Sequence, residues 1–428
     1  MYTSTKLSNG AELISIPLTG SQTTTVLAMI ATGSKYETRE QSGLSHFLEH
    51  MFFKGTTKRP TAHALSSELD KIGAEFNAFT SKEYTGYYVK VASQHMDTAI
   101  DVVSDMLANP LLDAEEIKRE SGVIIEEVNM YLDNPMWYIE DLFEELLYGD
   151  TPAGWSTIGT KDNIKAFTRE DFVNYYQSQY VPTNSIIIVA GALPSDPEAW
   201  VAKYFNATSD QTAKAKLVTT ESQSSPASRL HYKKTDQSHL SLGVRTFAYG
   251  HADAPILKLI SLALGGSMSS RLFINLRERN GLAYYVRTNS EAYTDTGYLS
   301  TQAGVPVDKL EDAVKIIINE YSRLTTELIS DEELSKLKGL IHGKIPLSLE
   351  GSDDNAQWYA SQAVTLKQQA SAKSPKTPEE FLAAIDQVTA ADIQRVAAEI
   401  FRTDKLNLAV IGPYDNIDNL QSLLTINN

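Results

Sequence analysis

The segment Phe167-Thr-Arg-Glu-Asp-Phe-Val-Asn-Tyr-Tyr176, followed shortly by Ile186-Ile-Ile-Val-Ala-Gly191, has a counterpart in Val388-Thr-Ala-Ala-Asp-Ile-Gln-Arg-Val-Ala397, followed by Leu408-Ala-Val-Ile-Gly412. Thr168, Asp171 and Gly191 map onto Thr389, Asp392 and Gly412 with one common offset of 221 residues. Each copy reads as a Thr-capped helix leading into an apolar strand closed by glycine. A looser echo lies upstream: an extended segment and helix from Tyr87 to Leu107 precede the acidic helix start at Asp113, as Tyr298 to Leu324 precede Asp331. The chain is therefore read as a duplication.

Between the copies, Ala207 to Ser228 is rich in Ser, Thr, Gln, Ala and Lys and has no aromatic residue, the composition of an exposed linker. The expected organisation is an N-terminal domain 1–206, a linker 207–228 and a C-terminal domain 229–428. Strands such as Thr24 to Ala31 and Leu240 to Arg245 mix with long amphipathic helices. That pattern predicts an α+β fold of two related halves, each with helices on one face of a largely antiparallel sheet.

Composition removes several classes. The 428 residues carry 38 Lys+Arg against 54 Asp+Glu, a net charge of −16, which argues against a nucleic-acid partner. Apolar residues make up 42 % with 15 Pro, enough for packed cores. With no cysteine there is neither a disulfide nor a thiolate metal site, so any metal must be held by His and carboxylates. The N-terminal residues lack the apolar run of a signal peptide, and no stretch approaches the ~20 apolar residues of a membrane span. The expectation is a soluble, cytoplasmic protein with no membrane partner.

Ser45-His-Phe-Leu-Glu-His-Met-Phe-Phe53 carries His-x-x-Glu-His spacing after Ser42, a candidate N-cap. On a helix, Leu44, Phe47, Leu48 and Met51 form an apolar stripe, and His46, Glu49 and His50 share the other side with Phe53. Two imidazoles one turn apart can share a metal ion, the alternative being a solvated polar face. A hydrolytic zinc needs a third protein ligand and keeps a position open. Asp113 to Tyr131 has a helical pattern with Ile117, Val123, Ile124, Val128 and Tyr131 as its apolar stripe. Glu120 and Glu127 fall within that stripe, whereas Glu126 turns away. A carboxylate on a buried face needs a cation, a metal or hydrogen-bond donors. Glu127 is read as the third ligand and Glu120 as a carboxylate supporting a ligating His. The competing readings are a pair of buried salt bridges, or Glu49 as ligand with Glu127 structural.

The inverted His-x-x-Glu-His, the glutamate 77 residues beyond His50 and the duplicated halves together resemble the pitrilysin family of zinc peptidases, the inverzincins. Length and single duplication resemble the short-chain branch that includes mitochondrial processing peptidase and its bacterial relatives. Gly154-Trp-Ser-Thr-Ile-Gly-Thr160 and Tyr180-Val-Pro-Thr-Asn-Ser185 are similar to first-half landmarks of that family. The resemblance spans the whole chain. It implies a duplicated, processing-peptidase-like fold of two α/β-sandwich halves, one Zn2+ per chain, and an endopeptidase in which Glu49 is the base for a zinc-bound water.

Gly73 to Tyr88 is rich in β-formers with turn residues in the middle and reads as a hairpin. Asn77-Ala78-Phe79-Thr80 is similar to the family's edge strand, which adds a substrate peptide as an extra strand. That implies extended, unfolded peptides as substrates, with Phe53 also placed at the substrate site. In the second half, Gly265 to Tyr284 lacks both the dinucleotide fingerprint and a Gly-Lys-Ser/Thr ending, so nucleotide binding is not supported. It is similar instead to the family's second-half signature, whose Arg and Tyr, here Arg277 and Tyr284, contact substrate. The alternative is a surface Arg and a core Tyr. The resemblance further implies a homodimer enclosing a chamber, with a heterodimer of related subunits as the variant arrangement. A catalytically silent scaffold is the remaining class, and the complete set His46, Glu49, His50 and Glu127 speaks against it.

Overall fold

The structure is a computed structural model and describes residues 2–426. It divides into two compact units. The first comprises residues up to Asn129, Ser156–Leu217 and Pro346–Thr377; the second comprises Met130–Trp155, Val218–Ile345 and Pro378 onward. The boundary between Leu217 and Val218 falls inside the expected linker. The units are not the consecutive stretches 1–206 and 229–428, however, because each takes one segment from the other half of the chain.

In the first unit the strands are β1 (Thr3–Lys6), β2 (Glu12–Pro17), β3 (Thr23–Ile30), β4 (Glu75–Thr80), β5 (Thr85–Ala92) and β6 (Ser185–Gly191), in the order β1-β2-β6-β3-β5-β4. All neighbours are antiparallel except β2 and β6, which run parallel. Every residue of β6 is buried, the sign of a strand covered on both faces. One face, with Ile14, Ile16, Leu27, Met29, Ile186 and Ile188, packs against Ala356, Tyr359, Ala360, Ala363 and Val364 of helix Ser352–Gln368. Small residues at 356, 360 and 363 recur at helical spacing and let that helix lie close to the sheet. Ser352 Oγ at its start bonds the Thr23 and Thr25 hydroxyls at 2.9 and 2.8 Å. Helix Met96–Ala108 packs on β3 and β5.

The second unit has β7 (Ala227–Tyr232), β8 (Gln237–Thr246), β9 (Tyr285–Ala292), β10 (Gly297–Pro306) and β11 (Leu406–Gly412), ordered β7-β11-β8-β10-β9 with only the β7–β11 pair parallel. Helix Pro135–Tyr148 covers Tyr298, Ala409 and Ile411 with Ile139, Phe143 and Leu147. The larger core gathers Leu240, Leu242 and Leu408 with helices Ala254–Gly265, Leu310–Thr326 and Ala390–Ile400.

Both sheets are thus mostly antiparallel, as the sequence predicts, but the expectation of helices on a single face is corrected. The second face is covered by a helix from the distant half of the chain, and no local periodicity announces such a partner. The duplicated helices carry the same capping box. Thr168 N–H donates to Asp171 Oδ2 at 2.8 Å, and Thr389 N–H donates to Asp392 Oδ2 at 3.0 Å. The predicted hairpin is β4–β5, paired from Glu75–Lys90 to Thr80–Thr85, with β4 at the sheet edge. The linker is irregular until β7 begins at Ala227, so that its last two expected residues, Ala227 and Ser228, are strand.

Candidate metal centre

Helix Leu44–Phe52 carries the His-x-x-Glu-His motif and buries Leu44, Phe47, Leu48, Met51 and Phe52. Its N-cap is Gly43, not Ser42, and Gly43 has a left-handed φ of +100°. A Cβ there would meet Gly159 Cα and Ile158 O, each at 2.8 Å, so a capping side chain is sterically barred. The orphan amides at the helix start are met from elsewhere. Glu37 accepts Gly43 N–H at 2.9 Å and Ser45 N–H at 2.6 Å while only 3 % exposed. Burial pushes the Glu37 carboxyl up to about 8, against the pull of the Ser45 and Gly43 hydrogen bonds. Tyr175 OH bonds Ser45 Oγ at 2.6 Å and pins the same turn.

On the opposite side of the helix, His46 Nε2 lies 3.7 Å from Glu127 Oε1, and His50 Nε2 lies 3.6 Å from Glu127 Oε2. Ligand atoms of these three residues lie within 4.8 Å of one another, the one such grouping among the described residues. Gaps of this size are too wide for hydrogen bonds. They approach the separation of roughly 3.4 Å between ligand atoms bound tetrahedrally to zinc at about 2.0–2.1 Å. His46 Nδ1 is buried with no hydrogen-bond partner. Burial, with the neighbouring His50, drives the His46 pKa down to about 3, so the ring is neutral and has a lone pair to give. This donor set of two imidazoles and a carboxylate fits zinc.

Helix Ala114–Asp133 supplies both glutamates. Glu120 Oε1 meets His50 Nδ1 at 2.9 Å and Glu120 Oε2 meets Lys54 Nζ at 2.5 Å. Burial raises the Glu120 carboxyl, but the hydrogen bonds from His50 and Lys54 outweigh it and leave it below the ordinary value. For His50, burial lowers the pKa, but the Glu120 hydrogen bond and the charges of Glu127, Glu120 and Glu49 raise it overall. Glu127 is raised by burial, only partly offset by His50. Glu126 points elsewhere: it is exposed and accepts from Asn129 Nδ2 at 3.2 Å. Val123 does not belong to the buried stripe, being 54 % exposed.

Glu49 stands beside the cluster rather than in it. Its Oε2 accepts from Thr80 Oγ1 at 2.5 Å, and burial raises its carboxyl against that hydrogen bond. Phe53 stacks on Phe76 of β4, ring centroids 6.3 Å apart. On the same strand Asn77 is exposed, while Ala78 and Phe79 are half-buried. In the second unit, Arg277 lies within a π-helical segment, Phe273–Arg279, its guanidinium 5.0 Å from the Phe273 ring and 5.9 Å from the Tyr284 ring. Tyr284 is 75 % exposed and therefore not a core tyrosine.

Sequence reasoning missed Glu37, Lys54 and the role of the Thr80 hydroxyl. Lys54 was open to discovery, lying one helical turn beyond His50. Glu37 carries no local signal.

Comparison with known proteins shows the family. Residues 14–161 match the family described as Insulinase (Peptidase family M16), and residues 166–340 match the Peptidase M16 inactive domain. Over 393 residues the chain is 35 % identical to a Bacillus subtilis protein named uncharacterized zinc protease YmxG, covering 91 % of this chain and 92 % of that one. The chain belongs to peptidase family M16. The M16 chain is also 32 % identical over 419 residues to a Streptomyces coelicolor protein named uncharacterized zinc protease SCO5738, spanning 96 % of this chain and 89 % of that one. A Helicobacter pylori protease of known crystal structure superposes with a TM-score of 0.89 at 25 % identity, covering 96 % of the M16 chain and 99 % of that protein. A Pseudomonas fluorescens M16 inactive-domain structure shares the fold, with a TM-score of 0.88 at 17 % identity and coverage of 97 % and 98 %. Residues 166–340, matched by the inactive-domain family, contain no His-x-x-Glu-His motif. Among the described residues, no helix is long and apolar enough to cross a membrane.

Proposed function

We propose that this M16 peptidase is a zinc endopeptidase that cleaves unfolded or short polypeptides presented as an extra strand on β4. The observation that carries the reading is the convergence of His46 Nε2, His50 Nε2 and the Glu127 carboxylate, with Glu49 on the helix of the two histidines and close enough to feel the charges of His50 and Glu127. These three side chains would hold one zinc ion per chain. Zinc in such a site supplies Lewis-acid polarisation of the scissile carbonyl.

The chain's own groups do the rest. Glu49 takes the proton of the attacking water and passes it to the leaving amine, and its raised proton affinity suits both directions of transfer. Glu120, accepting from His50 Nδ1, keeps His50 Nε2 free as a donor. β4 lies at the edge of its sheet, where an extended chain can pair as an added strand once Asn77 Oδ1, which accepts Ala78 N–H at 2.9 Å, gives way; such pairing favours extended chains over folded ones and gives little side-chain selectivity.

Arg277 and Tyr284 are assigned to the substrate backbone, a cation and a phenol suited to a carbonyl oxygen or developing oxyanion. Their exposure and mutual proximity support this, and the assignment itself rests on the resemblance. The resemblance likewise supports a homodimer enclosing a chamber, or a heterodimer with a related subunit.

The deciding experiment is Glu49→Gln in the zinc-loaded chain with a denatured peptide. Zinc content stays unchanged and turnover falls about 10²–10⁴-fold, the usual cost of losing a general base. Near wild-type turnover overturns the assignment of Glu49.

A further inference from the structure

Strand β4 and the motif helix are joined by two side-chain contacts. At one, Thr80 Oγ1 donates to Glu49 Oε2 at 2.5 Å. At the other, one turn along the helix and four residues back along the strand, Phe53 stacks on Phe76. Phe76, Ala78 and Thr80 share one face of the strand by the alternation of β side chains. The outer edge of that strand is the one left without a neighbour.

We propose that Thr80 is a positioning residue for Glu49, its hydroxyl holding the carboxylate by Oε2 so that Oε1 is the oxygen left to take the proton. The proposal rests on Glu49 being the base. A half-buried carboxylate with one free rotor would otherwise sample several orientations, and only some align a lone pair with the attacking water. The Thr80 hydroxyl gives its single hydrogen to Oε2, a charge-assisted bond of the stronger class. Threonine is stiff about χ1, so the backbone of β4 dictates where Oγ1 sits. Pairing of Thr80 with Thr85 of β5 fixes that backbone from the inner side. The strand offered to substrate therefore also aims the base, and a peptide that pairs along β4 in register tightens both at once.

The test compares Thr80→Val, Thr80→Ala and Thr80→Ser in the full, zinc-loaded chain, reading kcat and KM on a denatured peptide together with zinc content. Val and Ala both remove the hydroxyl, one filling the space and the other not. Each is expected to lower kcat about 10-fold, as for loss of one charged hydrogen bond. KM and zinc content stay within twofold of wild type. Ser restores the hydroxyl and returns kcat to within threefold. In a Glu49→Gln chain, adding Thr80→Val leaves peptide affinity unchanged by fluorescence anisotropy. Wild-type kcat in both Val and Ala overturns the proposal. So does a Ser variant as slow as Val, or an effect confined to KM or to zinc retention. If Glu49→Gln itself turns over normally, the base assignment fails. An equal Thr80→Val loss in that background would then show that Thr80 acts apart from Glu49, which also overturns the proposal.

Discussion

His50 Nδ1 lies 2.9 Å from Glu120 Oε1, while the other ring nitrogen of His50 lies 3.6 Å from Glu127 Oε2. One imidazole is thus shared between two glutamates of a single helix, seven residues apart and with different tasks. The hydrogen bond to Glu120 determines the tautomer and leaves Nε2 with the lone pair a metal requires.

Glu120→Gln should therefore weaken zinc binding by about 10–100-fold without abolishing it. The amide can still accept the Nδ1 hydrogen but no longer carries the charge that Lys54 compensates. Competition with a chelator of known affinity measures this. An unchanged zinc affinity would reduce Glu120 to a partner for Lys54.

Glu127→Gln should lose zinc at micromolar free metal, because only two protein ligands remain. Glu126→Gln should keep it, since that side chain is exposed and bonded to Asn129. Metal analysis after gel filtration separates the two, and the reverse pattern would mean that the wrong glutamate has been chosen.

Glu37 predicts a pH dependence of stability. Its carboxyl sits near 8 in the folded chain against an ordinary 4.5. Between those values the folded chain retains a proton that the unfolded chain has released. The contribution is full below about pH 4.5 and is lost as pH rises toward 8, with a slope of at most about 1.4 kcal/mol per pH unit. In metal-free chain, urea unfolding at pH 5 and pH 8 should show wild type losing stability relative to Glu37→Gln as pH rises. A constant difference would show that Glu37 is ionised throughout.

Arg277→Ala/Tyr284→Phe should keep zinc but lose most activity. If these residues serve the zinc centre of a second subunit, mixing that chain with a Glu49→Gln chain restores cleavage once subunits exchange. A mixed dimer seen by native mass spectrometry that stays as inactive as its parents would rule out the shared arrangement.

Local pattern was enough for the features built on one element or a short run. The i, i+3, i+4 spacing of His46, Glu49 and His50 determines which helix face they share, and the seven-residue spacing of Glu120 and Glu127 does the same for their helix. The Thr168 and Thr389 caps and the β4–β5 hairpin are local in the same sense. Tertiary structure alone decided that Glu37, rather than any residue at the helix start, caps the motif helix. The close approach of Gly159 excludes a side chain at Gly43, and the substitute comes from six residues upstream. It alone decided that Thr80 reaches Glu49, 31 residues away. It also decided that Ala356, Ala360 and Ala363 cover the first sheet while Ile139 and Phe143 cover the second. An amphipathic helix specifies that it must bury a face, but which distant sheet receives that face depends on the complementary shape of surfaces that exist only once both have folded.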